Sequence, residues 1–95
     1  MSKGKPFLER FAMETDIGVE FPPGRPLVEI SGDRRVLIEN HLGVKVYSRD
    51  QIVINVKFGC IQICGCGLEL RKMSKDQLVV LGEIQSVILQ KRKKI

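Results

Sequence analysis

Residues 51–70 read QIVINVKFGCIQICGCGLEL. The stretch supports two readings that lead to different proteins. In one, Cys60, Cys64 and Cys66 form a metal or redox cluster. In the other, Ile52, Ile54, Val56 and Phe58, then Ile61 and Ile63, then Leu68 and Leu70, are inward positions of half-buried strands, with Asn55, Lys57 and Glu69 facing out. A structural zinc site needs four ligands, commonly two closely spaced pairs. The spacing here is Cys60-x₃-Cys64-x-Cys66, and His41 is the chain's one histidine. Adjacent strand residues point to opposite faces. Cys60 and Cys64 therefore share a face in an unbroken strand, and Gly65 bends the chain before Cys66. A thioredoxin-like site wants C-x-x-C ahead of a helix, and the flanks here have strand periodicity. The second reading is preferred: the thiols serve as small buried residues, and no metal or cofactor is expected.

The same period of two extends outward on both sides. Val28 and Ile30, Val36 and Ile38, and Val44 and Val46 alternate with polar neighbours before the opening stretch. Leu78, Val80, Ile84 and Ile88 continue the pattern after it. Alternation in β-branched runs is the half-buried strand signal. Turn-forming residues interrupt it at 31–33, 41–43, 48–50, 58–59, 65–67 and 74–76. The expected fold is all-β, a small antiparallel sandwich or roll of about seven short strands. Gly59 and Gly65 bracket CIQIC at a pitch that also suits a short β-solenoid, the alternative fold. Both glycines fall where the chain must turn, and both are expected to exploit backbone conformations with positive φ.

Before the strands the pattern differs. Pro6 opens PFLERFAME, in which Phe7, Leu8 and Phe11 recur at helical spacing. This predicts a short amphipathic helix within residues 1–16, too short to be stable without docking on something. Residues 17–26 carry Pro22, Pro23 and Pro26 with Gly18 and Gly24, and read as an extended linker. The β domain occupies 27–90, and KRKKI at 91–95 is a basic tail.

At 95 residues the chain is one domain, and such a chain buries roughly 60–65% of its unfolded surface. With no Trp and one Tyr, aliphatic residues must fill the core. Glu9, Arg10, Glu14 and Asp16 break any secretory apolar region, and no apolar run approaches the roughly 18 residues that span a bilayer. A cytoplasmic protein is expected, and an odd number of cysteines, three, fits a reducing compartment. The net charge of +5 is uneven: residues 15–90 balance, and Lys91, Arg92, Lys93 and Lys94 supply most of the excess. Such a tail can touch phosphates or an anionic lipid surface, or simply remain solvated.

No nucleophile elbow, zinc-protease or P-loop pattern occurs, and the carboxylates are spread singly. His41, in ENHLG at a strand end, is expected to hydrogen-bond backbone rather than act as a base. No enzyme is expected. A nucleic-acid-binding β-barrel, the rival function, needs exposed aromatics interleaved with cations. Tyr47 and Phe58 are the only aromatics in the strands, and Phe58 falls on the apolar face.

The order VLIENHLGV (36–44), Phe58-Gly59, Gly65-x-x-Leu68 and GEIQSV (82–87) resembles the YabP/YqfC sporulation proteins, and the YqfC branch most closely. The resemblance covers roughly Leu27 to Leu89. The cysteines around Gly65 and the closing KRKKI depart from it. It implies a non-enzymatic protein of endospore-forming bacteria, made in the mother cell and contributing to the spore envelope beside a membrane-associated sporulation partner. It supplies no catalytic residues. With it, the expected contacts to a partner or membrane are Phe7, Leu8, Phe11, Lys91, Arg92, Lys93 and Lys94. Self-pairing of edge strands into a homo-oligomer is a further expectation, and nucleic acid is not expected as a partner.

Overall fold

A computed structural model describes residues 24–93. Six strands follow in chain order: β1 (Leu27–Ser31), β2 (Arg35–Glu39), β3 (Val44–Tyr47), β4 (Gln51–Val56), β5 (Gly59–Met73) and β6 (Gln77–Lys91). They hydrogen-bond as one antiparallel sheet in the order β1-β2-β6-β5-β4-β3.

The sheet is built on one long hairpin. β5 and β6 run 15 residues each, joined at a turn where the Gln77 N–H donates to the Ser74 hydroxyl at 3.2 Å. β4 pairs with Gly59–Cys64 of β5, and β2 pairs with Gln77–Leu81 of β6. Each half of the hairpin therefore carries two further strands, on opposite edges.

Midway along, the pairing of β5 with β6 slips three times, between Cys64 and Gly65, Cys66 and Glu69, and Leu70 and Lys72. Such bulges bend a strand and steepen its twist. They also leave backbone groups without ladder partners, and the two outer hairpin turns supply them. The Gly65 and Leu68 N–H groups donate to the Asp50 and Arg49 carbonyls, at 3.2 and 2.8 Å. The Gly82 and Ile84 N–H groups donate to those of Arg34 and Asp33, at 3.2 and 2.8 Å.

The bend closes the sheet over itself. The β2–β3 connection starts with the Asn40 N–H donating to the Asp76 carbonyl at 2.6 Å, at the hairpin's turn. Two residues later the Leu42 N–H donates to the Asn55 carbonyl at 2.7 Å, at the hairpin's open end. Two residues span no more than about 7 Å, whereas fifteen strand residues laid straight reach about 50 Å. The two ends can meet in this way only if the hairpin is folded. Tyr47 gives a second sign: its hydroxyl accepts from the Leu70 N–H at 3.3 Å, although β3 and β5 are not sheet neighbours.

Inside the fold lies one core of Val36, Ile38, Ile52, Ile54, Val56, Ile61, Ile63, Leu68, Leu78 and Val80. Val28, Val44, Phe58, Leu70, Ile84 and Val87 pack against it. Each fully buried aliphatic side chain contributes about 1.5–3 kcal/mol relative to exposure, and no polar side chain among the described residues is buried with them.

Several expectations change. Six strands form where about seven are expected, because GCIQICG and GLELR are one strand that bends at Gly65–Gly67 without leaving β6. Antiparallel pairing throughout excludes the solenoid, whose coils would stack in parallel. Val46 does not join Val44 on the core face: a bulge at Lys45 turns it outward. Ile88 is likewise turned out, since Gln85 is the extra residue between the Gly65–Ile84 and Cys64–Ser86 pairs, and Val87 takes the inward place. Gly59 has a positive φ of 151°, as expected, but Gly65 does not. Gly65 is needed because a Cβ there would lie inside the Glu83 carbonyl oxygen. The predicted helix in 1–16 and most of the 17–26 linker lie outside the described residues.

Candidate functional site

The cysteines follow the strand parity of β5. Ile61 and Ile63 point into the core, so Cys60, Gln62 and Cys64 face outward. Cys60 and Cys64 are half-buried and Cys66 is exposed, all as free thiols. The expectation of buried thiols is thus corrected, because the aliphatic residues between them take the core positions. The Cys60 thiol donates weakly to Gln90 Oε1, and Cys64 Sγ accepts from Gln62 Nε2, both at 3.6 Å. Among the described residues no three His, Cys, Asp or Glu side chains converge as metal ligands. Changing all three cysteines to Ser is expected to shift stability by no more than about 1 kcal/mol, as surface substitutions do, read by urea denaturation. Stoichiometric zinc in protein purified without added metal would contradict this.

His41 braces the β2–β3 connection. Its Nδ1 accepts from the Gly43 N–H at 3.0 Å, so the ring proton sits on Nε2, which donates to the Ser74 carbonyl at 2.9 Å. With both nitrogens engaged by backbone, neither is free to serve as a base. This is the role expected of it, and it ties the hairpin turn to the crossover beside it.

Two shallow depressions bring together residues distant in sequence. One, of about 390 Å³, is lined by Tyr47, Arg49, Leu68, Glu69 and Leu70 beside the bend. Another, of about 430 Å³, sets Glu39 beside Asp76 with Asn40 and Gln77. The Gln77 amide donates to Glu39 Oε2 at 3.0 Å. Sequence reading left these carboxylates single, because the crossover that joins β2 to the 74–76 turn is a tertiary feature.

The basic run is only partly a tail. Lys91 ends β6, paired with Gly59. The Arg92 N–H donates to the Phe58 carbonyl at 2.8 Å, and its guanidinium to the Lys57 carbonyl at 3.3 Å. These bonds hold Lys91 and Arg92 at the hairpin's open end. There they share a shallow groove of about 270 Å³ with Lys45, over a floor of Asn55, Cys60 and Gln90. Lys93 follows, exposed. Phe7, Leu8, Phe11 and Lys94 lie outside the described residues. Sequence reading missed Lys45, which is a lone cation in β3 and joins the others only through the pairing of β3, β4, β5 and β6.

The charge balance of the strands resolves into two unlike halves. One half-sheet is β1, β2, the second half of β5 and the first half of β6. Its cations Arg25, Arg34, Arg35, Arg71, Lys72 and Lys75 stand among Glu29, Asp33, Glu39, Glu69, Asp76 and Glu83. An ion pair there, Arg71 with Glu69 at 3.5 Å, is exposed and so worth little. The other half-sheet is β3, β4, the first half of β5 and the second half of β6. It carries Lys45, Arg49, Lys57, Lys91, Arg92 and Lys93, with Asp50 as its one acid among the described residues. Asp50 is at the β3–β4 turn, away from the open end.

The YabP family model matches residues 24–95, which takes in all six strands. No curated protein and no solved structure matches the chain.

Proposed function

The chain belongs to the YabP family, and from that premise we propose that it is a non-enzymatic interaction module of endospore formation. Membership suggests a role in sporulation. The finer reading is a protein of the YqfC type, working in the mother cell on the spore envelope beside a membrane-associated partner. The observation that carries the sporulation role is the family match over the whole described sheet, and the finer reading is supported by the residue resemblance at 36–44 and 82–87. The sheet supports an interaction role: among the described residues β1 and β3 are its edge strands, the places where strand addition can occur.

In this reading the β body makes the specific contact. The N-terminal segment with Phe7, Leu8 and Phe11, and the basic end from Lys91 to Lys94, bring it to the membrane where the partner resides. One weak signal rarely anchors a protein, whereas two can. No helix among the described residues is long and apolar enough to cross a membrane.

The test is made in an endospore-forming host. Deleting the gene should lower the yield of heat-resistant spores. Affinity capture from sporulating cells should recover a membrane sporulation protein. Changing Phe7 and Phe11 to Ser and removing residues 93–95 should shift the protein to the soluble fraction with its thermal melt unchanged. Normal spore yield on deletion would end this reading.

A further inference from the structure

We infer that the outer face of the half-sheet β3-β4-β5-β6, at the open end of the long hairpin, is a docking surface for anionic lipid headgroups. This deepens the membrane reading above and rests on it. It places the contact on the folded sheet itself.

Three observations converge on this face. First, the bond of the Arg92 N–H to Phe58 and the pairing of Lys91 with Gly59 fix two cations beside Lys45, with Lys93 next in the chain. Lys57 lies at the same end and is already engaged. Second, none of the described acids falls in β3, β4, the first half of β5 or the second half of β6. Among the described residues, Lys45, Lys91 and Lys93 therefore have no carboxylate in these strand segments beside them.

Third, the next row of the same face has an exposed aliphatic at each end. Val46, Val53, Gln62 and Ile88 pair across the four strands. Val46 is 38% and Ile88 43% exposed, whereas Val53 between them is covered, at 8%. Val46 and Ile88 are turned outward by bulges, at Lys45 and at Gln85. Exposed aliphatics beside a row of cations match the boundary of a membrane, where apolar groups enter the headgroup layer and lysines meet phosphates. A nucleic-acid surface would instead offer aromatics for base stacking. Tyr47, the one aromatic in these strands, turns the other way, its hydroxyl accepting from the Leu70 N–H.

The probe is a pair of vesicle preparations, phosphatidylcholine alone and phosphatidylcholine with phosphatidylglycerol, mixed with the full chain and sedimented. The wild type should bind only the second, and lose binding as salt screens the charges. Lys45→Glu with Lys91→Glu should weaken partition about 25-fold or more, since each basic residue near an anionic leaflet is worth about fivefold in partition. Lys72→Glu with Lys75→Glu, the same charge change on the neutral half, should leave it nearly unchanged. If the first pair disturbs the thermal melt, Lys45→Gln with Lys91→Gln gives the same comparison at smaller effect. Equal losses from both pairs would show general charge attraction and overturn the assignment. Binding to a DNA oligonucleotide but to neither vesicle would overturn it in favour of nucleic acid. A wild type that ignores vesicles yet is captured with a membrane sporulation protein from cells would remove the lipid surface and leave the proposed function standing.

Discussion

Gly65→Ala is expected to destabilise the domain by about 3 kcal/mol or more, at the upper end of what overpacking costs. The added Cβ would fall inside the Glu83 carbonyl oxygen and close to the Glu83 and Ile84 backbone. Backbone of a paired strand cannot swing aside as a flexible side chain can. Any relief must open the hairpin where its bulges bend it, which also disturbs the bonds from Gly65 to Asp50 and from Leu68 to Arg49. Gly82 faces the same junction: a Cβ there would stand 2.7 Å from the Gly67 carbonyl oxygen and 2.9 Å from Leu68 Cα. Gly32→Asn is the control. Nothing lies within 4 Å of a Cβ at Gly32, and Asn tolerates its left-handed φ of 59°. Denaturant melts of the two variants decide the matter. A Gly65→Ala protein as stable as wild type would mean that β5 and β6 do not approach this closely at the bend.

Ile63→Ala should cost about 2–5 kcal/mol, the usual range for truncating a buried isoleucine. Ile63 is fully buried, paired with Ile52 on one side and Val87 on the other. Its chain neighbour Gln62 faces outward, and Gln62→Ala should stay within about 0.5 kcal/mol of wild type, as surface changes do. The contrast tests the parity of β5 directly. It also tests the outward placement of the cysteines, because Cys60 and Cys64 share the parity of Gln62. Similar losses for the two variants would mean that the strand is buried on both faces.

The alternation in IQI, INV and LEL was legible because an antiparallel sheet with one wet face repeats every two residues. That period carried the all-β class and most of the core: Val36, Ile38, Ile52, Ile54, Val56, Ile61, Ile63, Leu68, Leu78 and Val80 are all buried as it requires. It failed at Val46 and Ile88, where a bulge inserts one residue and reverses the parity beyond it. A bulge has no reliable local signature, since Lys45 and Gln85 are ordinary strand residues. Gly65-Cys66-Gly67 was read as a break between strands for a related reason. Glycine marks a turn and a close backbone approach alike, and which one occurs depends on what lies opposite.

What the sequence by itself determined is the class of the fold, the face that becomes the core, the role of His41 and the family resemblance. These depend on neighbours along one strand or on a pattern of residues in order. What only the tertiary structure decided is which strands meet. β2 lies beside β6, and the connection after it carries the chain to the far edge. That step brings Glu39 to Asp76, and the pairing of β3 through β6 brings Lys45 to Lys91 and Arg92. The physical reason is that charges interact through space rather than along the chain. A body that balances when its residues are counted in order therefore divides, once folded, into a neutral half and a half whose open end is basic.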